Sequence, residues 1–413
     1  KLNFDIKLKA VTLVTLIPLI LYFAFSKTTP DLLVLTVLIF YLNFLLDPKY
    51  VNSSRMGLLA GFCGGVAFLA KSYVFFFFLV HFIIVNIDYW LKFQKNRKNI
   101  TKNFVLGLVV FLCISGIWVA VISEKYDKFT IGTAGTYNFA AFGPESSGHP
   151  VLSDGLMKPW DKYALSVWDD PSYLKVKSWS PFSSIKNFDY EIKIILYDML
   201  EIFKVIESFS VLSILIIFLA FFLIFKSSSD SSKNKLTLIL LTIFIYSAGY
   251  CLIFVVDRYL WFVDVLLLLL GVFSVKVFSE EYSINKNVSM LLVFLVSFSF
   301  IFYPVFNLYD ISGNSEGTYN LAENLKEYGV QGSNIAAGQG YWRDALMLSY
   351  YLDTKYYGLT KPLSSEKEIS EELHSNNIEY YILWSNESMD IQGYEKLKDL
   401  NFDYPKIYRL SSG

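Results

Sequence analysis

Long apolar blocks dominate this sequence of 413 residues. A hydrocarbon core about 30 Å thick needs about 20 apolar helical residues, although shorter blocks suffice when their ends reach the interface. The candidate spans are Ala10–Phe25, Leu32–Leu46, Met56–Ala70, Val74–Ile87, Val105–Ile122, Phe209–Phe225, Leu236–Val255, Leu260–Phe278 and Val288–Phe306. Only Lys71-Ser72-Tyr73 separates the third block from the fourth, and we interpret these blocks as two helices joined by a tight turn. We therefore predict a polytopic α-helical membrane protein with about nine spans.

Composition excludes several other classes of protein. The chain is 54% hydrophobic and 18% charged, against about 25% charged residues in soluble globular proteins. Its 36 Lys and Arg residues are balanced by 37 Asp and Glu residues, so no basic field exists to attract nucleic acid. The three cysteines, Cys63, Cys113 and Cys251, lie inside apolar blocks and predict neither a disulfide framework nor a metal site.

Lysine and arginine in the short loops predict the orientation of the chain. One set of loops is rich in them, with Lys92, Lys95, Arg97, Lys98 and Lys102 after the fourth block. The loops of the opposite set carry only Lys27, Lys71 and Arg258. Because cytoplasmic loops are enriched in Lys and Arg, we predict a cytoplasmic N-terminus and an external C-terminus. We also expect the membrane to be a prokaryotic cell membrane. The chain begins at Lys1 rather than Met, and we expect a preceding segment.

Two polar regions are then external. Residues 123–208 form a loop within a transmembrane domain, 1–306, and residues 307–413 form a separate domain. The loop ends in apolar residues at helical spacing between Phe188 and Ile206, which fits either a helix on the membrane surface or an extension of the sixth span. In the C-terminal domain, helical and strand patterns alternate, which predicts a small α/β fold with a largely parallel sheet. The predicted helices are Thr318–Tyr328, Tyr341–Tyr351 and Glu366–Asn376, and the predicted strands are Asn334–Ala337, Lys355–Leu359, Glu379–Trp384 and Lys406–Leu410.

Three charged residues at the ends of spans are candidates for a functional site. Asp31 begins the second span, Lys71 ends the third and Arg258 ends the seventh, all on the predicted external side. Each also has a structural interpretation. Thr29 and Pro30 would cap the helix that Asp31 begins, and Lys71 would anchor a helix at the interface. Arg258 would form a salt bridge with Asp257 or serve as a similar anchor. Taken together, two cations beside a carboxylate suit an anionic phosphate whose lipid tail lies in the bilayer.

The external loop supplies a second set of candidates. Glu145 and His149 lie four residues apart in a Gly- and Pro-rich stretch, and Asp154, Trp160 and Asp161 follow. Aromatic faces and carboxylates are typical of sugar pockets, so these residues could line a pocket for a sugar or an acceptor. The alternative is a solvated loop. His81 and His374 show no pairing pattern, and we interpret them as structural.

The order of these features resembles the GT-C superfamily of polytopic glycosyltransferases, especially protein O-mannosyltransferases and the aminoarabinose transferases that modify lipid A. The similarity lies in Thr28-Thr29-Pro30-Asp31-Leu32-Leu33, in the Gly-rich span from Gly57 to Lys71, and in Arg258-Tyr259-Leu260, and it covers about residues 8–306. The family usually begins with a transmembrane helix and a large external loop holding its catalytic Asp, and neither precedes Lys1. The segment after Tyr259 also lacks the family's usual proline.

The resemblance implies sugar transfer from a polyprenyl-phosphate donor to a protein, glycan or lipid acceptor on the external face. Lys71, Arg258, Tyr259 and Tyr73 would bind the lipid phosphate. Asp31 is the candidate catalytic carboxylate within this sequence, while the main base is expected upstream of Lys1. A divalent metal ion could bridge carboxylate and phosphate, but the sequence does not require one.

Two other functions fit a polytopic chain. The first is a transporter or flippase of a lipid-linked or anionic substrate, although charges in mid-span are scarce and no inverted repeat is visible. The second is a membrane anchor that displays the C-terminal domain, although an anchor needs only one span.

Overall fold

The computed structural model describes residues 2–146, 148–174, 176–312, 315–385, 388–397 and 404–411. It is mostly helical, with one small sheet near the C-terminus. Contacts divide the chain into two compact units. The helical unit comprises Lys1–Gly135 and Phe188–Ile311, and the sheet unit comprises Thr136–Asn187 and Ser312–Gly413. Residues 136–187 of the external loop therefore pack with the C-terminal region.

The helices follow the apolar blocks of the sequence. Each of the nine predicted spans lies on or overlaps a helix in the described part of the chain. The helices are α1 (Ile6–Ser26), α2 (Asp31–Leu45), α3 (Ser54–Ala70), α4 (Val74–Lys92), α5 (Arg97–Lys125), α6 (Thr133–Ala141), α7 (Pro150–Ser153), α8 (Ile185–Phe209), α9 (Ser213–Lys226), α10 (Asp230–Tyr250), α11 (Trp261–Glu281), α12 (Lys286–Ser312), α13 (Ser315–Lys326), α14 (Trp342–Leu352) and α15 (Glu366–Ser375).

Fewer helices than nine are long enough to cross a membrane on their own. Among the described residues, five are long and apolar enough, namely α1, α4, α5 with the turn before it, α11 with the turn before it, and α12. A sixth arises if the bent pair α8 and α9 counts as one span, while α2 and α3 are apolar but shorter. These apolar helices indicate an integral membrane protein.

Helix α11 lies at the centre of the helical unit. It packs against α1, α2, α9 and α10, and almost every residue from Trp261 to Val275 is buried. Apart from Asp264 and Ser274, this stretch is apolar on all sides, as expected for a helix surrounded by other helices. The outer helices instead expose apolar side chains, such as Leu13 and Ile17 on α1 and Val109 on α5.

Glycines bring α3 and α5 into backbone contact. A Cβ atom on Gly61 would overlap the carbonyl oxygen of Gly107, and one on Gly57 would overlap that of Asn103. The Asn103 side chain accepts a hydrogen bond from the backbone N–H of Gly57 at 3.1 Å. Small residues and a buried amide are typical of closely packed helices in membranes.

His81 is a structural residue, as its lack of a pairing pattern suggested. It is fully buried on α4, where the Tyr41 hydroxyl donates to Nδ1 at 2.8 Å and Nε2 lies 2.9 Å from the hydroxyl of Thr242. That hydroxyl donates to the carbonyl of Leu238, so Nε2 carries the proton. One neutral imidazole thus links α2, α4 and α10.

Helix α8 is not a straight extension of α9, because the two are bent by 101° at a short break. Apolar residues such as Phe188, Ile192 and Leu196 are exposed along it, whereas Glu191 and Asp198 are buried. An exposed apolar face fits the prediction of a helix that lies on a membrane surface.

The sheet is mixed, and our prediction of a largely parallel sheet was wrong. Its strands are β1 (Asn334–Ala337), β2 (Lys355–Leu359), β3 (Tyr380–Leu383), β4 (Tyr394–Lys396) and β5 (Lys406–Leu410), in the order β2-β1-β3-β5-β4. Strand β1 is parallel to β2 and β3, whereas β5 is antiparallel to β3 and β4. Helices α14 and α15 provide the crossovers that parallel strands need, and no helix is described between β3 and β5. The sequence pattern also missed β4, which has only three residues.

The loop segment of the sheet unit covers one edge of this sheet. The Tyr356 N–H donates to the carbonyl of Leu165 at 2.8 Å, and the Met157 N–H donates to that of Tyr357 at 2.7 Å. Trp168 also stacks on Trp342, with ring centroids 4.8 Å apart. Edge strand β2 is therefore paired on both sides within the sheet unit.

The contact between α3 and α5 generates a test. Gly61→Ala should lower the free energy of unfolding by about 3 kcal/mol, because the added methyl group has no room against a rigid backbone. Gly116→Ala on α5 is the matched control, since nothing lies within 4 Å of its Cβ position, and it should be neutral or slightly stabilising. Denaturant titration in detergent measures both variants. Equal stabilities would contradict the packing described here.

Candidate functional site

Asp31, Lys71 and Arg258 lie at helix ends of the helical unit. Asp31 is the first residue of α2, Lys71 follows the last residue of α3, and Arg258 lies in a 3₁₀ turn, Asp257–Leu260, that leads into α11. The predicted Thr29 cap is wrong, because Pro30 occupies the cap position and makes no side-chain capping bond. The Asp31 carboxylate bonds to Lys71 instead.

The structure brings these three charges together. The Lys71 ammonium donates a hydrogen bond to Asp31 Oδ1, and Arg258 Nε lies 3.9 Å from Oδ2. The Asp31 side chain is only 5% exposed, while those of Lys71 and Arg258 are 18% and 33% exposed. A buried carboxylate is tolerable here because two cations flank it.

Stacked tyrosines form one wall of this site. The Lys71 ammonium lies 3.8 Å from the ring centroid of Tyr259 and 5.4 Å from that of Tyr250. Tyr250 stacks on Tyr259 at 4.7 Å and on Tyr73 at 3.9 Å. Tyr73 in turn donates to the carbonyl of Tyr246, and a Cβ on Gly249 would overlap its hydroxyl. The ammonium is thus held by a carboxylate and by aromatic faces.

The cluster of Asp31, Lys71 and Arg258 contains more cations than carboxylates. Lys71 lies in the turn between α3 and α4, where burial lowers the pKa of its ammonium to about 8 against the opposing effect of Asp31. With Lys71 protonated, two cations face one carboxylate within this cluster, and Asp257 precedes Arg258 in the same turn. Arg258 is the more exposed cation, so an incoming anion would meet its guanidinium first.

The candidates of the predicted external loop do not share one pocket in the sheet unit. Glu145 and Asp154 line one cleft of about 330 Å³, together with Lys177 and Trp179. The Lys177 ammonium donates to Glu145 and holds the pKa of that carboxyl below its ordinary value.

The other three loop candidates lie outside the residues that line this cleft. His149 belongs to an aromatic cluster, where Nδ1 lies 3.1 Å from the Tyr137 hydroxyl and the ring contacts Trp168. Burial lowers the pKa of this imidazole. Trp160 stacks on Tyr173 at 4.7 Å. Asp161 accepts a hydrogen bond from the Tyr163 N–H at 2.7 Å, which makes it a turn residue.

Tyr250, Lys177 and Trp179 were not among the predicted site residues. Tyr250 follows Tyr246 by four residues at the end of α10, a spacing that places both on one helix face and could have pointed to the wall. Lys177 is 32 residues from Glu145 and carries no local signal. Within the described part of the chain, no group of three or more His, Cys, Asp or Glu residues is arranged to hold a metal ion.

No family model, curated protein or solved structure matches this chain. The chemistry of the site therefore rests on its own geometry. That geometry consists of two cations around one carboxylate, beside a wall of stacked tyrosines.

The ion cluster should contribute strongly to stability. Asp31→Ala leaves Lys71 and Arg258 close together without their shared partner, and because both cations retain some exposure to solvent it should cost about 1–3 kcal/mol of unfolding free energy. Asp88→Ala removes the partner of Lys92 from a pair in which both side chains are more than a third exposed, and it should cost less than about 1 kcal/mol. The comparison requires denaturant titration of both variants in the same detergent. Similar small losses would show that Asp31 is not a buried partner of both cations.

Proposed function

We propose that this protein is a membrane glycosyltransferase that moves a sugar from a polyprenyl-phosphate donor to an acceptor on the external face. The observation that supports this most is the cluster of Asp31, Lys71 and Arg258 at helix ends, beside stacked tyrosines. The resemblance of these segments to GT-C glycosyltransferases points the same way. The cluster is the donor site of the proposed enzyme.

The proposed donor carries a phosphate at the membrane boundary and a hydrocarbon tail in the bilayer. Arg258 suits the phosphate because a guanidinium can bind two phosphate oxygens at once, and Lys71 adds a compact charge. Asp31 contacts both cations, so we assign it the role of positioning them rather than that of the base. Tyr259, Tyr250 and Tyr73 wall the site with aromatic surface that an isoprenoid or a sugar can contact.

The proposed reaction is a substitution at the anomeric carbon. The acceptor hydroxyl oxygen forms a bond to that carbon while the bond from the carbon to the phosphate oxygen breaks, and a carboxylate base takes the hydroxyl proton. Polyprenyl phosphate leaves with an additional negative charge. Lys71 and Arg258 stabilise this charge most strongly in the transition state, which is where electrostatic groups accelerate a reaction.

The proposed location requires a particular orientation of the chain. The Lys- and Arg-rich loops are cytoplasmic in this proposal, so the ends of the helices that carry Asp31, Lys71 and Arg258 face outward. Nine membrane-crossing segments, with α2 and α3 as short spans, satisfy this orientation. The protein is then an enzyme of the external face of a prokaryotic cell membrane.

Loss of either cation tests the proposed function. Lys71→Ala and Arg258→Ala in the full-length protein should each lower the rate of sugar transfer at least about 10²-fold, because each removes a group that stabilises the leaving phosphate. Arg258→Lys should retain part of the activity, since it keeps the charge but loses the bidentate geometry. The measurement follows a radiolabelled sugar from a panel of polyprenyl-phosphate sugars into membrane, protein and glycan fractions.

The control for this test is Lys92→Ala, which removes an exposed lysine of the helical unit and should leave transfer unchanged. Unaltered transfer by both alanine variants would show that neither cation belongs to the active site. Movement of intact donor across vesicle membranes without sugar transfer would instead establish a flippase.

A further inference from the structure

The cleft of the sheet unit lies between two segments of the external loop. Residues between 140 and 146 and between 148 and 154 form one side, residues between 176 and 187 form the other, and the volume of the cleft is about 330 Å³. Ligand pockets span about 300–1,000 Å³, so the cleft is the size of a small polar ligand.

The wall of this cleft is held in place by packing. The Trp179 indole stacks on Phe139 with centroids 4.7 Å apart and planes 5° apart, and its N–H donates to the Phe139 carbonyl at 2.8 Å. A Cβ on Gly143 would come within 2.6 Å of the indole, so the glycine allows the two segments to meet. The cleft is therefore built on a fixed aromatic wall.

The polar groups of the cleft match a polyhydroxylated ligand. The carboxylates of Glu145 and Asp154 accept hydrogen bonds, and the ammonium of Lys177 donates them. The amide N–H groups of Asn187 already bond to Ser180 and Ser183, which leaves its carbonyl oxygen oriented as an acceptor. Glu145 and Lys177 are 66% and 80% exposed, so exchanging their mutual bond for bonds to a ligand costs little.

We propose that this cleft binds carbohydrate and that its occupant is the acceptor glycan of the transferase. Sugar hydroxyls both donate and accept hydrogen bonds, as a cleft with two carboxylates, an ammonium and an amide requires. The proposal that carbohydrate binds is supported by the residues of the cleft, whereas the role of that carbohydrate as acceptor rests on the proposed function.

A peptide acceptor fits the sheet unit less well. Extended peptides are commonly bound by adding a strand to a sheet edge. The β2 edge is already paired by the segment of Met157 and Leu165, and the other edge strand, β4, has only three residues. The cleft itself offers a single indole, and its other apolar lining residues, such as Ala140, Pro144 and Val176, are small.

The test is ligand-observed saturation-transfer NMR with the full-length protein in detergent. The probes are maltose, cellobiose, mannobiose and diacetylchitobiose, with an unstructured Ser/Thr-rich peptide as the comparison. At least one disaccharide should bind, and the double variant Glu145→Gln, Asp154→Asn should weaken that binding at least about tenfold, which corresponds to about 1.4 kcal/mol. Both substitutions preserve side-chain size, and circular dichroism verifies the fold.

Two controls separate the outcomes. Glu371→Gln removes another exposed carboxylate of the sheet unit that faces a lysine, and it should leave saccharide binding unchanged. Lys71→Ala should retain saccharide binding while sugar transfer is lost, so a failure of the proposed function would be distinguishable from a failure of the cleft. Absence of saccharide binding, equal binding by the double variant, or binding of the peptide in place of saccharides would overturn the proposal.

Discussion

Charge compensation around one buried carboxylate is the constraint on which the candidate site depends. Asp31 is almost fully enclosed, and such a group is stable only because Lys71 and Arg258 approach it from two other helix ends. Packing brings those ends together: glycines set the spacing of α3 and α5, and the apolar helix α11 fixes the turn that carries Arg258. The same arrangement places two cations and one carboxylate beside stacked tyrosines, and we propose that an anionic lipid headgroup is the ligand of this cluster.

The helices were predictable from the sequence because apolar blocks of this length have few alternatives to a helix in a membrane. Crossing the membrane is a stricter condition than being helical, which is why α2 and α3 fall short of it by length. The sheet was less predictable. Strands β1, β2 and β3 follow the predicted alternation of strands and helices along the chain. The direction of β5 depends on the connection before it. Strand β4 is too short to give a recognisable pattern.

Charged residues near apolar spans could be recognised as site candidates from the sequence, whereas closeness in sequence did not show which residues share a pocket. Asp31, Lys71 and Arg258 attracted attention because charged residues are costly near apolar spans, and the structure places them in one cluster. Tyr250 joins them through its contacts with Lys71 and Tyr73, which are far from it in the chain, so its spacing to Tyr246 could indicate a shared helix face but not these partners. In the external loop, five neighbouring candidates suggested one pocket, yet only two of them line the cleft. Turn formation and aromatic packing take the other three elsewhere.

The most direct measurement of the central claim compares two lipids that differ only in charge. Purified protein is titrated with a short-chain polyprenyl phosphate and with the corresponding uncharged polyprenol at low and high salt. If Lys71 and Arg258 bind the phosphate, the charged lipid should bind at least about tenfold more tightly, which corresponds to about 1.4 kcal/mol, and salt should reduce this preference. Equal affinity for the two lipids would show that Lys71 and Arg258 do not bind the phosphate and would contradict a lipid-phosphate site.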